Sequence, residues 1–128
     1  MNKLDKNSVI GISALLVHAA NIDEIYSVHE KDLIKDFIKS YLDDDANEIL
    51  KKAEEIEKNS NQLLNYTNII KKNSLDIKKD IVEHLWKVII SDNSVDQYES
   101  NLMRRICGLI YFPDKECAEI KLKLLQSK

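Results

Sequence analysis

Only two glycines and one proline punctuate the 128 residues. So few chain breakers exclude a sheet protein built on hairpins and favour helices joined by short turns. Two cysteines, Cys107 and Cys117, provide no disulfide framework. Each lies in a helical apolar pattern, which reads as two separate buried thiols and fits a reducing, cytoplasmic setting. Neither sign of charge dominates: 22 acidic residues face 19 basic ones, for a net charge of -3. That balance argues against a nucleic-acid partner and against attraction to a charged membrane surface. The pairs Lys51-Lys52, Lys71-Lys72 and Lys78-Lys79 have no aromatics interleaved and read as solvated helix faces. No apolar run approaches the roughly 18–20 residues of a membrane span, so direct membrane insertion is not expected. Val9 to Val17 is apolar and follows two lysines, as in a signal peptide, but Asp5 interrupts the would-be basic stretch.

Common enzyme signatures are missing too. There is no phosphate-cradling glycine loop, no Gly-x-Ser-x-Gly and no His-Glu-x-x-His. Without Glu-x-x-His, a di-iron carboxylate bundle would have no usual ligand set. Asp44-Asp45-Ala46-Asn47-Glu48 mimics a metal-diphosphate motif, yet the chain is short for that fold and a helix start explains the acids. His18 and His84 read as helix-face residues and His29 as exposed.

What is present is a globular balance, 44% hydrophobic and 32% charged, enough for one domain over residues 1–128 with a core of its own. An internal repeat organises it. Shifting the chain by 69 positions lays Leu16–Ile34 on Leu85–Met103, with Asp23 on Asp92, Ser27 on Asp96 and Glu30 on Glu99. Apolar positions match apolar ones, and the polar residues of a turn match as well.

Periodicity of 3.6 predicts seven helices. The first covers about 8–21, with Val9, Ile12, Leu16 and Ala20 on one face. The second starts at Ser27 and carries Leu33, Ile34, Phe37, Ile38 and Tyr41. The third follows Asp43-Asp44-Asp45 and presents Ile49, Leu50, Ala53 and Ile56. A fourth, about 60–73, bridges halves of about 8–58 and 75–126. The fifth, about 75–91, and the sixth, about 97–110, have stripes through Ile77, Ile81, Leu85 and through Leu102, Ile106, Leu109. The seventh opens near Pro113 and carries Cys117, Ile120 and Leu124. The expectation is an all-α fold, a compact bundle of two pseudo-twofold-related halves sharing one core.

The two equivalent turns read Asp-x-x-x-(Ser/Asp)-x-x-Glu. Ser27 with Glu30, and Asp96 with Glu99, have the spacing of capping boxes, each cap contributing about 1 kcal/mol. Asp23 and Asp92 differ, because each follows a helix C-terminus whose dipole disfavours negative charge. A turn hydrogen bond, an arginine (Arg104 or Arg105) or a divalent cation is the expected compensation. Asp92, Ser94 and Asp96 open like an EF-hand loop, but Gln97 stands at the glycine position and Met103 at the bidentate acid position. The candidate metal ligands are therefore Asp92, Asp96, Glu99, Asp23 and Glu30, for a weakly bound calcium or magnesium ion.

These turns resemble the tellurite-resistance TerB-like family, whose pattern is Ala-Asp-Gly-x-Ile-Asp-x-x-Glu after an apolar helix, occurring twice. The second copy is Ser91-Asp92-Asn93-Ser94-Val95-Asp96-Gln97-Tyr98-Glu99, preceded by Val82-Glu83-His84-Leu85-Trp86 and followed by Leu102-Met103-Arg104-Arg105-Ile106. Tyr66-Thr67 is also similar. Glycine is replaced by Glu24 and Asn93, and an acid by Ser27, which makes the first turn the poorer cation site. The resemblance implies a seven-helix domain linked to tellurite resistance and stress response, with an acidic surface for metal ions or protein partners, membrane-associated ones included. Direct tellurite reduction is not expected of two separate thiols. The reading is a non-enzymatic binding module. The alternative is a small metal-dependent enzyme with carboxylates converging where the halves meet.

Overall fold

The computed structural model describes residues 4–21, 27–59, 63–90 and 97–126, with backbone alone at 63–65 and 97–99. Seven helices follow one another: α1 (Lys6–Ala20), α2 (Val28–Tyr41), α3 (Ala46–Asn59), α4 (Leu63–Lys71), α5 (Leu75–Ile90), α6 (Gln97–Leu109) and α7 (Asp114–Gln126). No strand occurs among the described residues.

The helix starts follow from local hydrogen bonding. Asp5 Oδ1 accepts the Ser8 amide at 2.7 Å, which moves the start of α1 two residues ahead of the expected start at about 8. Asp45 Oδ1 accepts the Asn47 amide at 3.0 Å, so the last of the three consecutive acids begins α3. Ser74 stands in the same place before α5, with its carbonyl accepting the Lys78 amide at 3.0 Å. The end of α6 is a Schellman turn: Phe112 N–H reaches the Cys107 carbonyl at 2.8 Å and Tyr111 N–H the Gly108 carbonyl at 3.4 Å. Tyr111 occupies its left-handed position, with φ of 60°, where glycine is usual.

From Val9 to Ala20 α1 buries every residue but His18, and α2, α3, α4 and α5 all pack against it. A helix with no polar face has no stable place except the interior. The segment that resembles a signal peptide is thus the buried axis of the bundle. α5 is the second axis, packed on α1, α2, α4, α6 and α7. It buries Ile77, Ile81, Val82, Leu85, Trp86, Val88, Ile89 and Ile90. Gly11 lies where α4 crosses α1; a Cβ there would run into the Ile69 side chain.

Most expected core positions are buried, with two kinds of difference. Ile56 is 39% exposed. On α3 the inward row continues from Ile49, Leu50 and Ala53 to Glu57, which turns its carboxylate toward the end of α1. Leu33, Tyr41, Leu109 and Leu124 are only partly buried. Cys107 and Cys117 are both buried and free, as expected, but they are not separate. The α6–α7 turn brings the two side chains close enough to influence each other.

Candidate functional site

The first acidic turn is bounded by well-defined residues. On its near side α1 ends at Asn21, whose backbone N–H donates to the carbonyls of Val17 and Ala19. On its far side Ser27 Oγ accepts the Glu30 amide at 3.2 Å, and Glu30 Oε1 accepts the Ser27 amide at 2.8 Å. The capping box expected from the sequence is therefore formed in the first half. Glu30 is buried, at 5% exposure, so at least one of its oxygens serves the helix start rather than an open surface. Asp23, Asp92 and Asp96 lie outside the described residues, as does the side chain of Glu99. Of the five candidate ligands, Glu30 is the one whose side chain can be placed. Among the described residues no three His, Cys, Asp or Glu side chains come together to hold a metal ion.

Sequence reasoning missed the neighbour of this turn. Glu57 of α3 accepts from the Asn21 side-chain amide at 3.3 Å and lies 3.4 Å from His18 Nδ1. It thereby brings a carboxylate to the C-terminal end of α1, beside His18 in the last turn. The available signal was register: residue 57 follows the buried Ala53 by four, on the same helix face. A groove of about 730 Å³ runs from Asn21 and Val17 along α3. Its four glutamates (48, 54, 55 and 57) are matched by four lysines (31, 51, 52 and 58), so it is no concentrated field of one sign. Lys51 and Lys52 are exposed, as the solvated-face reading requires.

A second polar cluster joins α2 to α5. Tyr41 of α2 donates to Asp80 Oδ2 of α5 at 2.6 Å. His84 Nδ1, one turn along α5, lies 2.8 Å from the Asp80 carbonyl and 3.5 Å from its Oδ1. The His84 ring meets Phe37 edge-on at 5.1 Å. Burial, reinforced by the hydrogen bond to Asp80 and by its charge, raises the Tyr41 hydroxyl well above the ordinary phenol range. Tyr41 is therefore held protonated, as a hydrogen-bond donor and not as a base. His84 acts here as a helix-face residue satisfied locally, and His29 is exposed.

The geometry defines an all-helical protein with two axial helices, α1 and α5, each ending just before an acidic segment of the sequence, and with a mixed-charge groove along α3. A family model described as "Tellurite resistance protein TerB" matches residues 10–122, nearly the whole chain and both acidic turns. The chain belongs to that family. No curated protein and no solved structure matches it. Among the described residues no helix is long and apolar enough to cross a membrane.

Proposed function

We propose that this protein is a tellurite-resistance and stress-response accessory protein, a non-enzymatic binding module of the cytoplasm. Its acidic helix–turn–helix turns engage a divalent cation or a protein partner, membrane-associated partners included. The observation that carries this reading is the family match, which runs through both turns. The groove beside the first turn supports a protein partner there, because interleaved glutamates and lysines suit a polar protein surface better than a bare ion. The second turn, with Asp92, Asp96 and Glu99 close in sequence, is the better place for a calcium or magnesium ion.

The test is a backbone amide NMR titration of the full chain with calcium, magnesium and manganese, beside Asp92→Ala. Saturable shifts focused on residues 92–99 and lost in the variant are expected if the second turn binds a cation. Absent or diffuse shifts would remove the cation and leave both turns as helix caps on a protein-interaction module.

A further inference from the structure

α6 packs on α4, α5 and α7 with one face and leaves the other bare. Leu102, Met103, Ile106, Cys107 and Ile110 are buried, while Asn101, Arg104, Arg105 and Gly108 are exposed. The exposed row holds the only two arginines of the chain. Neither forms an ion pair with a described residue, although acids outnumber bases in the sequence. Beyond the helix end stands Tyr111, which is 68% exposed. Lys71, exposed at the end of α4, sets its ammonium 5.0 Å from the centre of the Tyr111 ring.

Two residues of this face are poor choices for folding. Gly108 lies in the last turn of α6, and glycine is among the weakest helix formers. Neither usual reason for it holds: its φ is not positive, and a Cβ there would meet nothing within 4 Å. Gly11 differs, because its Cβ would run into Ile69. Three residues after Gly108, Tyr111 stands at φ of 60°, a conformation that glycine takes freely and that strains a residue with a side chain. Stability would have the two residues the other way round. Local choices that oppose the fold are expected where a surface serves recognition.

The chemistry of the face points to carboxylates. A guanidinium presents a planar fork of N–H donors that matches a carboxylate in two parallel hydrogen bonds. Arg104 and Arg105 diverge by about 100° around the helix, and Gly108 falls between them one turn on. A chain laid over the bare Gly108 backbone can offer one carboxylate to each arginine and apolar atoms to Tyr111. Asp114, the acid nearest Tyr111 in sequence, is balanced by its neighbour Lys115. Nucleic acid fits less well, because it calls for a basic field of wide extent and the net charge is -3. A short acidic segment responds to the local cations, since charges beyond about 8 Å are screened at physiological salt.

We propose that the exposed face of α6, with Tyr111 and Lys71 at its end, docks an acidic segment of a partner protein. The site works through cations, so it stands whether or not the acidic turns bind an ion.

The probe is a short fluorescein-labelled peptide of alternating glutamate and leucine, added to the full chain. The same peptide with glutamine for glutamate, and a single-stranded oligothymidylate, are the comparisons. Affinity is read by fluorescence anisotropy and location by backbone amide shifts. The glutamate peptide is expected to bind saturably, to weaken as salt is raised, and to shift Asn101, Arg104, Arg105, Gly108 and Tyr111 most. Arg104→Gln combined with Arg105→Gln is expected to weaken it about tenfold, through the loss of both ion pairs. Gly108→Ala and Tyr111→Gly are expected to raise the urea midpoint and yet weaken binding, an opposition that a merely structural role would not produce. No saturable binding, equal binding of the glutamine peptide, or shifts centred elsewhere would overturn the proposal. So would unchanged affinity in the arginine double variant, or in both of the last two variants. Tighter binding of oligothymidylate to the same face would also overturn it and make the face a nucleic-acid surface. The wild-type shifts decide the matter even if a variant fails to fold.

Discussion

α1 and α5 occupy equivalent places in the internal repeat, yet they are buried differently. α1 buries 11 of its 15 residues, all but Lys6, Asn7, Ser8 and His18. α5 buries 8 of its 16 and keeps a polar edge through Lys79, Asp80, Glu83 and His84. The same position in the two halves thus serves different ends. In the first stretch the axial helix is nearly all core, and its inter-helix polar contacts lie at its end, at His18 and the capping Asn21. In the second stretch the axial helix also holds α2 through Asp80 and supplies Trp86, whose ring lies under Lys121 of α7. The aligned stretches of sequence thus share an apolar pattern and differ in burial.

The comparison can be broken most directly at Leu16 and Leu85, which are repeat-equivalent and both fully buried. Each Leu→Ala change is expected to cost about 2–5 kcal/mol, with Leu16→Ala toward the upper end because helices on all sides limit collapse of the cavity. Urea unfolding of the pair checks this, and a larger loss at Leu85 would undo the ranking. Next in size is Tyr41→Phe, which removes the hydrogen bond from α2 to the α5 carboxylate. It is expected to lower stability by about 1 kcal/mol, less than a fully buried charge-assisted bond because Asp80 is partly exposed.

Ser27→Ala tests the first capping box and is expected to cost about 1 kcal/mol. Asp96→Ala should match it if the second turn is capped in the same way; a loss seen only in the presence of calcium would instead separate the two turns in role. Ser13 sharpens the contrast between the axes from the other direction. Its hydroxyl is buried in α1 with no hydrogen-bond partner, where the repeat places Val82 in α5. Ser13→Ala is therefore expected to raise stability by about 0.5–1 kcal/mol, read as a higher urea midpoint.

The smallest effect concerns the start of α1. The Ser8 amide holds the Asp5 carboxyl below its ordinary value of 3.8. A carboxyl lowered on folding contributes above its unfolded value and loses that contribution as pH falls through the folded one. Hydrogen exchange at the first turn of α1 should thus accelerate below about pH 3.8, with Asp5→Ala removing the acid dependence.

Much of the fold was legible because helices write their period into the sequence. The stripes through Ile77, Ile81, Leu85 and through Ile34, Phe37, Ile38 are the faces that pack. The boundaries were set by single hydrogen bonds that periodicity does not carry. Asp5 rather than Ser8 begins α1, and the acid that starts α3 is Asp45. Ile56 misled because a hydrophobic residue and a glutamate stand side by side at the edge of the α3 face. The choice between them depends on the angle of α3 against α1, which no local pattern encodes. The thiol pair was illegible for a similar reason. A separation of ten positions says nothing of the corner angle, which is set by Tyr111 in a left-handed conformation where sequence rules expect glycine. Glu30 could be assigned because its spacing from Ser27 is a local rule, and local rules survive without tertiary knowledge.

The almost wholly buried surface of α1 has a consequence for the order in which the chain is made. α1 is complete at residue 20, but α5, which covers one of its sides, is complete only at residue 90. At about 5–20 residues per second, that side waits several seconds for its cover during synthesis. The most hydrophobic helix of the protein is therefore also the one exposed longest as a nascent chain, and its exposure ends only when the second half has been made.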